Sequence, residues 1–353
     1  MVSVSAPLTA PKTPATRSWP RLLADALVAP TPVALRRWAL GGVITSALII
    51  LTGAAVRLSQ SGLGCPDWPN CTAGSLAAAG TTGDPLIHRW IEFGNRLVTV
   101  AIFVIAVGVF VAAWRYRGAD GRRRRDLVWL AAAQPGAIVA QAVLGGIVVI
   151  TKLNPALVSV HFLASVALVA ATVALYMRCQ EGTSQPRPYV PRPVRLVALG
   201  VVGTVALMMA AGTVVTGTGP LAGARDVARY HLPLEGATQL HADIGWLLAG
   251  LVVALLLGLR VSDAPRKAVR LGWLLLGLIG LQGVIGYAQY FSGLPAGLVW
   301  VHVTGSTAIW ITALLLPYSL RDRGAITDAD ASPAGLPTEL SGGRRGISSR
   351  LSG

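Results

Sequence analysis

The stretch QAVLGGIVVITKLNPALVSVH, residues 141–161, recurs in altered form as QGVIGYAQYFSGLPAGLVWVH, residues 282–302. Gln, Val, Gly, Leu and the final His keep their spacing without a gap, which indicates an internal duplication. The final residues, His161 and His302, lie in apolar stretches long enough to span a membrane. An ionisable residue at membrane depth is costly unless it is paired or bound, so both histidines are candidate functional residues.

The composition indicates a membrane protein. Hydrophobic residues make up 53% of the chain and charged residues 13%, and the mean hydropathy is +0.61. One helical crossing requires about 20 apolar residues. The sequence therefore predicts an all-α integral membrane protein with eight transmembrane helices. Their approximate ranges are 38–56, 90–114, 127–150, 157–177, 195–216, 240–259, 271–290 and 298–318.

The distribution of basic residues predicts the orientation of the chain. The net charge is +15, and 24 of the 30 Lys and Arg fall in the tails and the even-numbered loops. Cytoplasmic segments of membrane proteins carry such an excess, so both termini are expected to be cytoplasmic. The positive net charge is explained by this orientation and does not indicate binding to nucleic acid. The six basic residues expected on the outer side are Arg57, Arg89, Arg96, Lys152, Arg225 and Arg229.

The duplication predicts two four-helix halves. The residues around Gly53 also match those around Gly212, at a different offset. A repeat of four spans keeps its orientation, so the bundles are expected to be related by a pseudo-twofold axis along the membrane normal. Inverted-repeat transporters have that axis in the membrane plane. The predicted segments are a disordered cytoplasmic tail (1–37), an N-terminal half (38–178), a C-terminal half (195–320) and a disordered cytoplasmic tail (321–353).

Three histidines are expected at one depth. His161, His241 and His302 each lie 17 to 19 residues before an arginine at the cytoplasmic end of their helix. At about 1.5 Å per residue they lie about 26–28 Å from that end, near the outer edge of the hydrocarbon. Two neutral imidazoles from facing helices suit haem iron, whereas zinc needs a third or fourth ligand. The alternative is a structural histidine that only forms a hydrogen bond with a backbone carbonyl or a serine.

The second helix lacks a histidine at the matching depth, where Asn95 stands. His88, Glu92 and Asn95 form one stripe at i, i+4 and i+7 on this helix. In the outer loop before it, Cys65 and Cys71 lie on the side where disulfides persist. That pair is either a structural staple or a redox-active pair that exchanges with a partner.

These motifs resemble those of the haem A synthase family. The most specific is GLGCPDWPNC at residues 62–71, followed by VVTGTGP at residues 214–220 and by the histidines of the even-numbered helices. The resemblance covers residues 38–318 and implies eight helices in two four-helix halves. It implies that His241 and His302 hold haem b, and that His161 and the acid Glu92 serve the substrate haem.

The chain departs from the family at two places. The family motif Glu-x-x-His-Arg stands here as Glu92-Phe-Gly-Asn95-Arg96, and Gly-Pro-His-Ala-Gly stands as GPLAG at residues 219–223. Either His88 replaces the missing ligand from two turns away, or His161 holds the substrate haem from one side only.

The activity implied by the resemblance is oxidation of a methyl group of haem O to a formyl group, through a hydroxymethyl group. The enzyme would be an oxidoreductase acting on a CH group, with water as the oxygen source, and would make haem A for cytochrome oxidase. It would lie in a bacterial plasma membrane with the haem sites toward the outer face. Its expected partners are haem O synthase and cytochrome oxidase assembly factors; self-association stays open.

Several residues in this picture have competing interpretations. Glu92 is either the catalytic acid or an ion-pair partner of Arg89 or Arg96. Arg57, Arg89 and Arg96 either bind haem propionates or face lipid headgroups. For the whole protein, the rivals are a membrane b-type cytochrome, a non-catalytic haem carrier and a transporter, and the electron acceptor stays open.

Overall fold

The computed structural model describes residues 27–72, 74–76, 78, 86–118 and 120–324. Within these residues, eight helices are long and apolar enough to cross a membrane, which confirms the predicted all-helical membrane class. The remainder of the predicted terminal tails, residues 1–26 and 325–353, lies outside the described residues. The helices are α1 (Pro32–Leu58), α2 (Leu86–Arg115), α3 (Arg125–Ile150), α4 (Pro155–Arg178), α5 (Arg192–Thr218), α6 (Leu234–Val261), α7 (Arg266–Phe291) and α8 (Ala296–Ser319).

The helices begin earlier than the apolar stretches. α1 starts at Pro32, where Thr31 Oγ1 accepts a hydrogen bond from the Ala34 N–H at 3.1 Å. A threonine cap followed by proline is a favourable helix start. The last six residues of the predicted tail 1–37 are therefore helical. Apolar content defines only the part of a helix in the hydrocarbon, and capping decides where the helix begins.

The segment after α8 is also ordered where a tail was predicted. Arg321–Asp322 forms a short strand, β2, that pairs antiparallel with β1 (Arg187–Pro188) in the loop after α4. Glu181 in the same loop accepts hydrogen bonds from Arg178 and Arg321. Burial raises the pKa of Glu181, but these hydrogen bonds outweigh it and leave the pKa below its usual range. These contacts connect the loop between the two halves to the end of α8.

The helices contact one another as two rings of four. α1 to α4 pack in chain order and α1 also packs against α4; α5 to α8 do the same, with α5 against α8. α1 and α4 contact the second ring, and the Trp310 indole donates a hydrogen bond to the Val166 carbonyl across this interface at 2.9 Å. In this arrangement α2 and α4 occupy opposite corners of the first ring, as α6 and α8 do in the second. Those four helices carry the three histidines and Asn95.

Candidate functional site

The structure brings His241 and His302 together in the centre of the second ring. Their ring centres are 6.2 Å apart and their planes meet at 64°. Imidazole–metal bonds of about 2 Å, with each nitrogen about 1 Å from its ring centre, place two ligating rings about 6 Å apart. The spacing therefore fits one metal ion between the two rings. Asp243, two residues after His241, is exposed on the outside of the bundle and accepts a hydrogen bond from Gln239, so it does not complete a zinc site.

Each of the three histidines packs against a glycine of a neighbouring helix. A Cβ on Gly212 would lie 3.3 Å from His241 Cε1, and one on Gly286 would lie 3.5 Å from His302 Cε1. A Cβ on Gly145 would likewise lie 3.3 Å from the His161 ring. Larger side chains at these glycines would press on the imidazoles. Gly145 and Gly286 are the glycines repeated in the duplicated blocks. Each block therefore contains both a histidine and the glycine against which its imidazole packs.

The Nδ1 atoms of His161, His241 and His302 are buried and have no hydrogen-bond partner among the described residues. The Met208 carbonyl is close to the His241 ring but does not meet hydrogen-bond geometry. A histidine that merely satisfies itself in a helical core would show such a bond. A buried ring nitrogen without a partner calls for an explanation, and these imidazoles are available to a ligand that satisfied core histidines could not take.

The first ring differs from the second where a histidine is missing. The Asn95 Oδ1 atom is buried without a partner. Gly53 matches Gly212 in the repeat, but a Cβ on it would meet no atom within 4 Å. The first ring therefore contains one imidazole, that of His161. The opposite helix presents the amide of Asn95, and the position at Gly53 leaves free space.

Glu92 is buried on α2, with both carboxylate oxygens engaged. Its Oε2 accepts a hydrogen bond from the Cys65 N–H at 2.8 Å, and its Oε1 pairs with Arg96 at 2.7 Å. Arg96 also donates to the carbonyls of Cys65 and Asn70, both at 2.9 Å. The ion pair considered as the alternative role of Glu92 is thus present, and the two side chains anchor the outer loop to α2.

The anchored loop contains a disulfide between Cys65 and Cys71. Both cysteines are fully buried, which favours a structural staple because thiol exchange requires access. Trp68, between them in sequence, lies over Gly146 of α3, directly after the glycine that contacts His161. The loop therefore covers the first ring at one end, which we call the disulfide end.

The remaining predicted site residues lie near the same end. His88 Nδ1 shares a hydrogen bond with Ser61 Oγ at 2.8 Å, so only its Nε2 is left for a metal. Arg57 donates to the Thr216 carbonyl of the second ring at 2.6 Å, and its Nε is buried without a partner. Arg89 is fully buried. Sequence reasoning missed the contact of Trp68 with α3, which no residue spacing reveals.

Comparison with known proteins agrees with these features. The model of the COX15-CtaA family, described as cytochrome oxidase assembly protein, matches residues 36–315. A protein named Heme A synthase from Shewanella oneidensis is 24% identical, over 79% of this chain and 94% of its own length. The Bacillus licheniformis protein of that name is also 24% identical, over 74% and 88%. The one from Geobacillus thermodenitrificans is 34% identical over 32% of this chain and 33% of its own length. Because the family model spans most of the sequence, the chain belongs to the COX15-CtaA family of cytochrome oxidase assembly proteins.

Proposed function

We propose that this protein is a haem A synthase, which oxidises a methyl group of haem O to the formyl group of haem A. Relatives of that name match over most of the chain. The observation that carries the proposal is the asymmetry of the rings: His241 and His302 face each other, while His161 shares its ring with Asn95. Extraction of pigments from the purified protein tests it. Haem B together with haem O and haem A supports the proposal, and haem B alone favours a b-type cytochrome.

The second ring is proposed to hold the resident haem b between His241 and His302. The support is their spacing, their unsatisfied Nδ1 atoms and the glycines against which they pack. Haem b supplies one-electron transfer when it is bound there, and its potential depends on the apolar shell around it. His241 and His302 would hold the haem from both sides, and a haem held in this way would serve electron transfer and not substrate exchange.

The first ring is proposed to bind the substrate, haem O, with His161 on one face. Asn95 offers a weaker ligand than imidazole on the opposite helix, so the substrate is held less firmly than a haem between two imidazoles at one depth. Arg57, with its buried unpartnered Nε, is the first candidate for a propionate contact. Arg89 is a second, whereas Arg96 is already engaged with Glu92 and the loop.

The proposed reaction takes its oxygen from water. Conversion of the methyl to a hydroxymethyl group consumes one water and releases two protons and two electrons, and the electrons pass to an oxidant outside this protein. The hydroxymethyl group then consumes a second water and releases two more electrons and two more protons, which gives a geminal diol. The diol loses water to leave the formyl group. We propose that Glu92, one turn before Asn95 on α2, accepts these protons and releases them toward the disulfide end. A buried carboxylate with fixed partners can serve as such a general base.

Substrate and product place the protein in a sequence of reactions. An enzyme that attaches the side chain characteristic of haem O, haem O synthase, must supply the substrate. Assembly factors of cytochrome oxidase are the proposed receivers of haem A, which fits the description of the family.

The proposed orientation has both termini in the cytoplasm and the disulfide end outside. On intact cells, a membrane-impermeant thiol reagent is expected to label the variant Asp67→Cys, because Asp67 is exposed in the loop between the buried Cys65 and Cys71. The third cysteine of the chain, Cys179, gives little background because burial raises the pKa of its thiol to about 12. The unsubstituted protein, whose Cys65 and Cys71 are buried in a disulfide, serves as the unlabelled control. Labelling that requires cell lysis would reverse the orientation.

His88 is proposed as the substitute for the ligand missing at Asn95. Replacing it by alanine is then expected to weaken haem O binding about tenfold or more, because one of two iron ligands is lost. The double variant His88→Ala, Asn95→His should regain binding, since the open space at Gly53 accepts an imidazole. Binding is read from the absorption of added haem O. Full binding by His88→Ala alone means that His161 holds the substrate from one side only.

A further inference from the structure

A groove of about 300 Å³ runs between α1 and α2 at the outside of the first ring. Its volume is at the lower limit of small-molecule sites, which measure about 300–1,000 Å³. The lining is apolar except for two side chains, Thr52 and Asn95. The groove is lined by Thr52, Ala55, Val56, Trp90, Ile91, Gly94, Asn95 and Val98. We call it the α1–α2 groove.

The α1–α2 groove shares Asn95 with the candidate substrate site. Asn95 lines it, yet the Oδ1 atom of the same side chain is buried in the bundle without a partner. The groove thus leads from the lipid-facing surface to the residue that shares the first ring with His161. Trp90, at its rim, is 56% exposed, as expected of a residue at the edge of an opening.

The matching place in the second ring is filled. There, His241 stands where Asn95 stands and packs against Gly212, whereas a Cβ on Gly53 would meet nothing within 4 Å. Gly94, which lines the groove, matches Leu240 in the second ring. Smaller residues at two matching positions of α2 therefore accompany the opening, and this difference separates the proposed substrate ring from the proposed haem b ring.

We propose that the α1–α2 groove binds the isoprenoid side chain of haem O and admits the substrate sideways from the bilayer. This inference rests on the proposed function. An isoprenoid chain is a branched hydrocarbon, and an apolar groove next to the porphyrin site binds it by van der Waals packing, the attraction available to apolar groups within a membrane. Haem B lacks this chain, so the groove gives the first ring a preference for haem O over haem B.

The test narrows the groove without touching the proposed ligands. Gly94→Leu introduces the residue of the second ring, and a Cβ at this glycine meets no atom within 4 Å. Gly136→Leu is the matched control, because Gly136 is an exposed helical glycine of α3 with equally free space. Purified protein already loaded with haem b is titrated with haem O and, separately, with haem B. We expect Gly94→Leu to bind haem O at least tenfold more weakly, with haem B binding and the resident haem b spectrum unchanged.

A second variant, Ala55→Leu, narrows the groove from the α1 wall and is expected to act in the same way. Unchanged haem O binding in both variants overturns the inference. If the variants instead lose only co-purified phospholipid, the groove holds a lipid acyl chain, and the inference is likewise overturned. Equal weakening of haem O and haem B also overturns it, because the groove would then serve the porphyrin. These results concern binding alone. Failure of the proposed function would instead appear as wild-type protein that binds haem O and never converts it.

Discussion

Replacement of His241 or His302 by alanine is expected to abolish the low-spin haem b spectrum of the purified protein. His241 and His302 are the only pair of described histidines whose imidazole centres lie at the spacing of two axial ligands, 6.2 Å. Removing one leaves at most a five-coordinate iron, which is no longer low-spin. The Nδ1 atoms have no hydrogen-bond partners among the described residues, so the substitution removes no hydrogen bond at these atoms and the helices are expected to stay folded.

Two controls separate ligand loss from misfolding. His161→Ala should keep the haem b spectrum, because His161 lies in the other ring. Added imidazole should restore a low-spin spectrum to His241→Ala and to His302→Ala by entering the space beside Gly212 or Gly286 that the ring occupied. An unchanged spectrum in both alanine variants would remove the pair as haem b ligands.

Glu92→Gln is expected to lower haem A production by about 100-fold or more, since general acid–base groups contribute about 10²–10⁴-fold to catalysis. The change keeps the size of the side chain and removes its charge. Haem b should still be bound, and haem O or its hydroxymethyl derivative should accumulate. The products are measured by extracting the haems and separating them by chromatography with mass detection.

The contacts of Glu92 with Arg96 and Cys65 supply an alternative explanation that a matched variant can test. Arg96→Gln removes the same ion pair and three carbonyl contacts of the loop, yet it leaves the carboxylate in place. If Glu92 only anchors the disulfide loop, both variants lose the same activity. If it moves protons, Glu92→Gln loses far more activity and loses the pH dependence of turnover that Glu92 sets, whereas Arg96→Gln shifts this pH dependence and keeps it. Full haem A production by Glu92→Gln would exclude Glu92 from the reaction.

The class of fold was predictable because hydrophobicity alone reports membrane helices. The eight spans of the sequence each lie within one helix of the structure. The helix ends were less predictable: the start of α1 depends on the cap at Thr31, and the ordered residues after α8 depend on pairing of Arg321–Asp322 with a loop more than 130 residues earlier. Local composition contains no record of such a long-range contact.

The candidate site was predictable where residues repeat and unpredictable where only shape matters. Equal depth identified His241 and His302 as a pair, and the structure brings them together. The sequence also indicated that Asn95 breaks the pattern. It did not reveal the α1–α2 groove beside Asn95, because a groove depends on how the side chains of two helices pack against each other. For the same reason, the position of Trp68 over Gly146 needed the structure.

The most direct test of the proposed function is the conversion of haem O to haem A in cells that contain haem O synthase and lack any other source of haem A. Expression of the wild-type chain is expected to yield haem A, identified by the mass of a formyl in place of a methyl group. His161→Ala should yield none while haem b stays bound. Haem O that remains unchanged in the presence of folded, haem b-loaded wild-type protein would contradict the assignment as a haem A synthase.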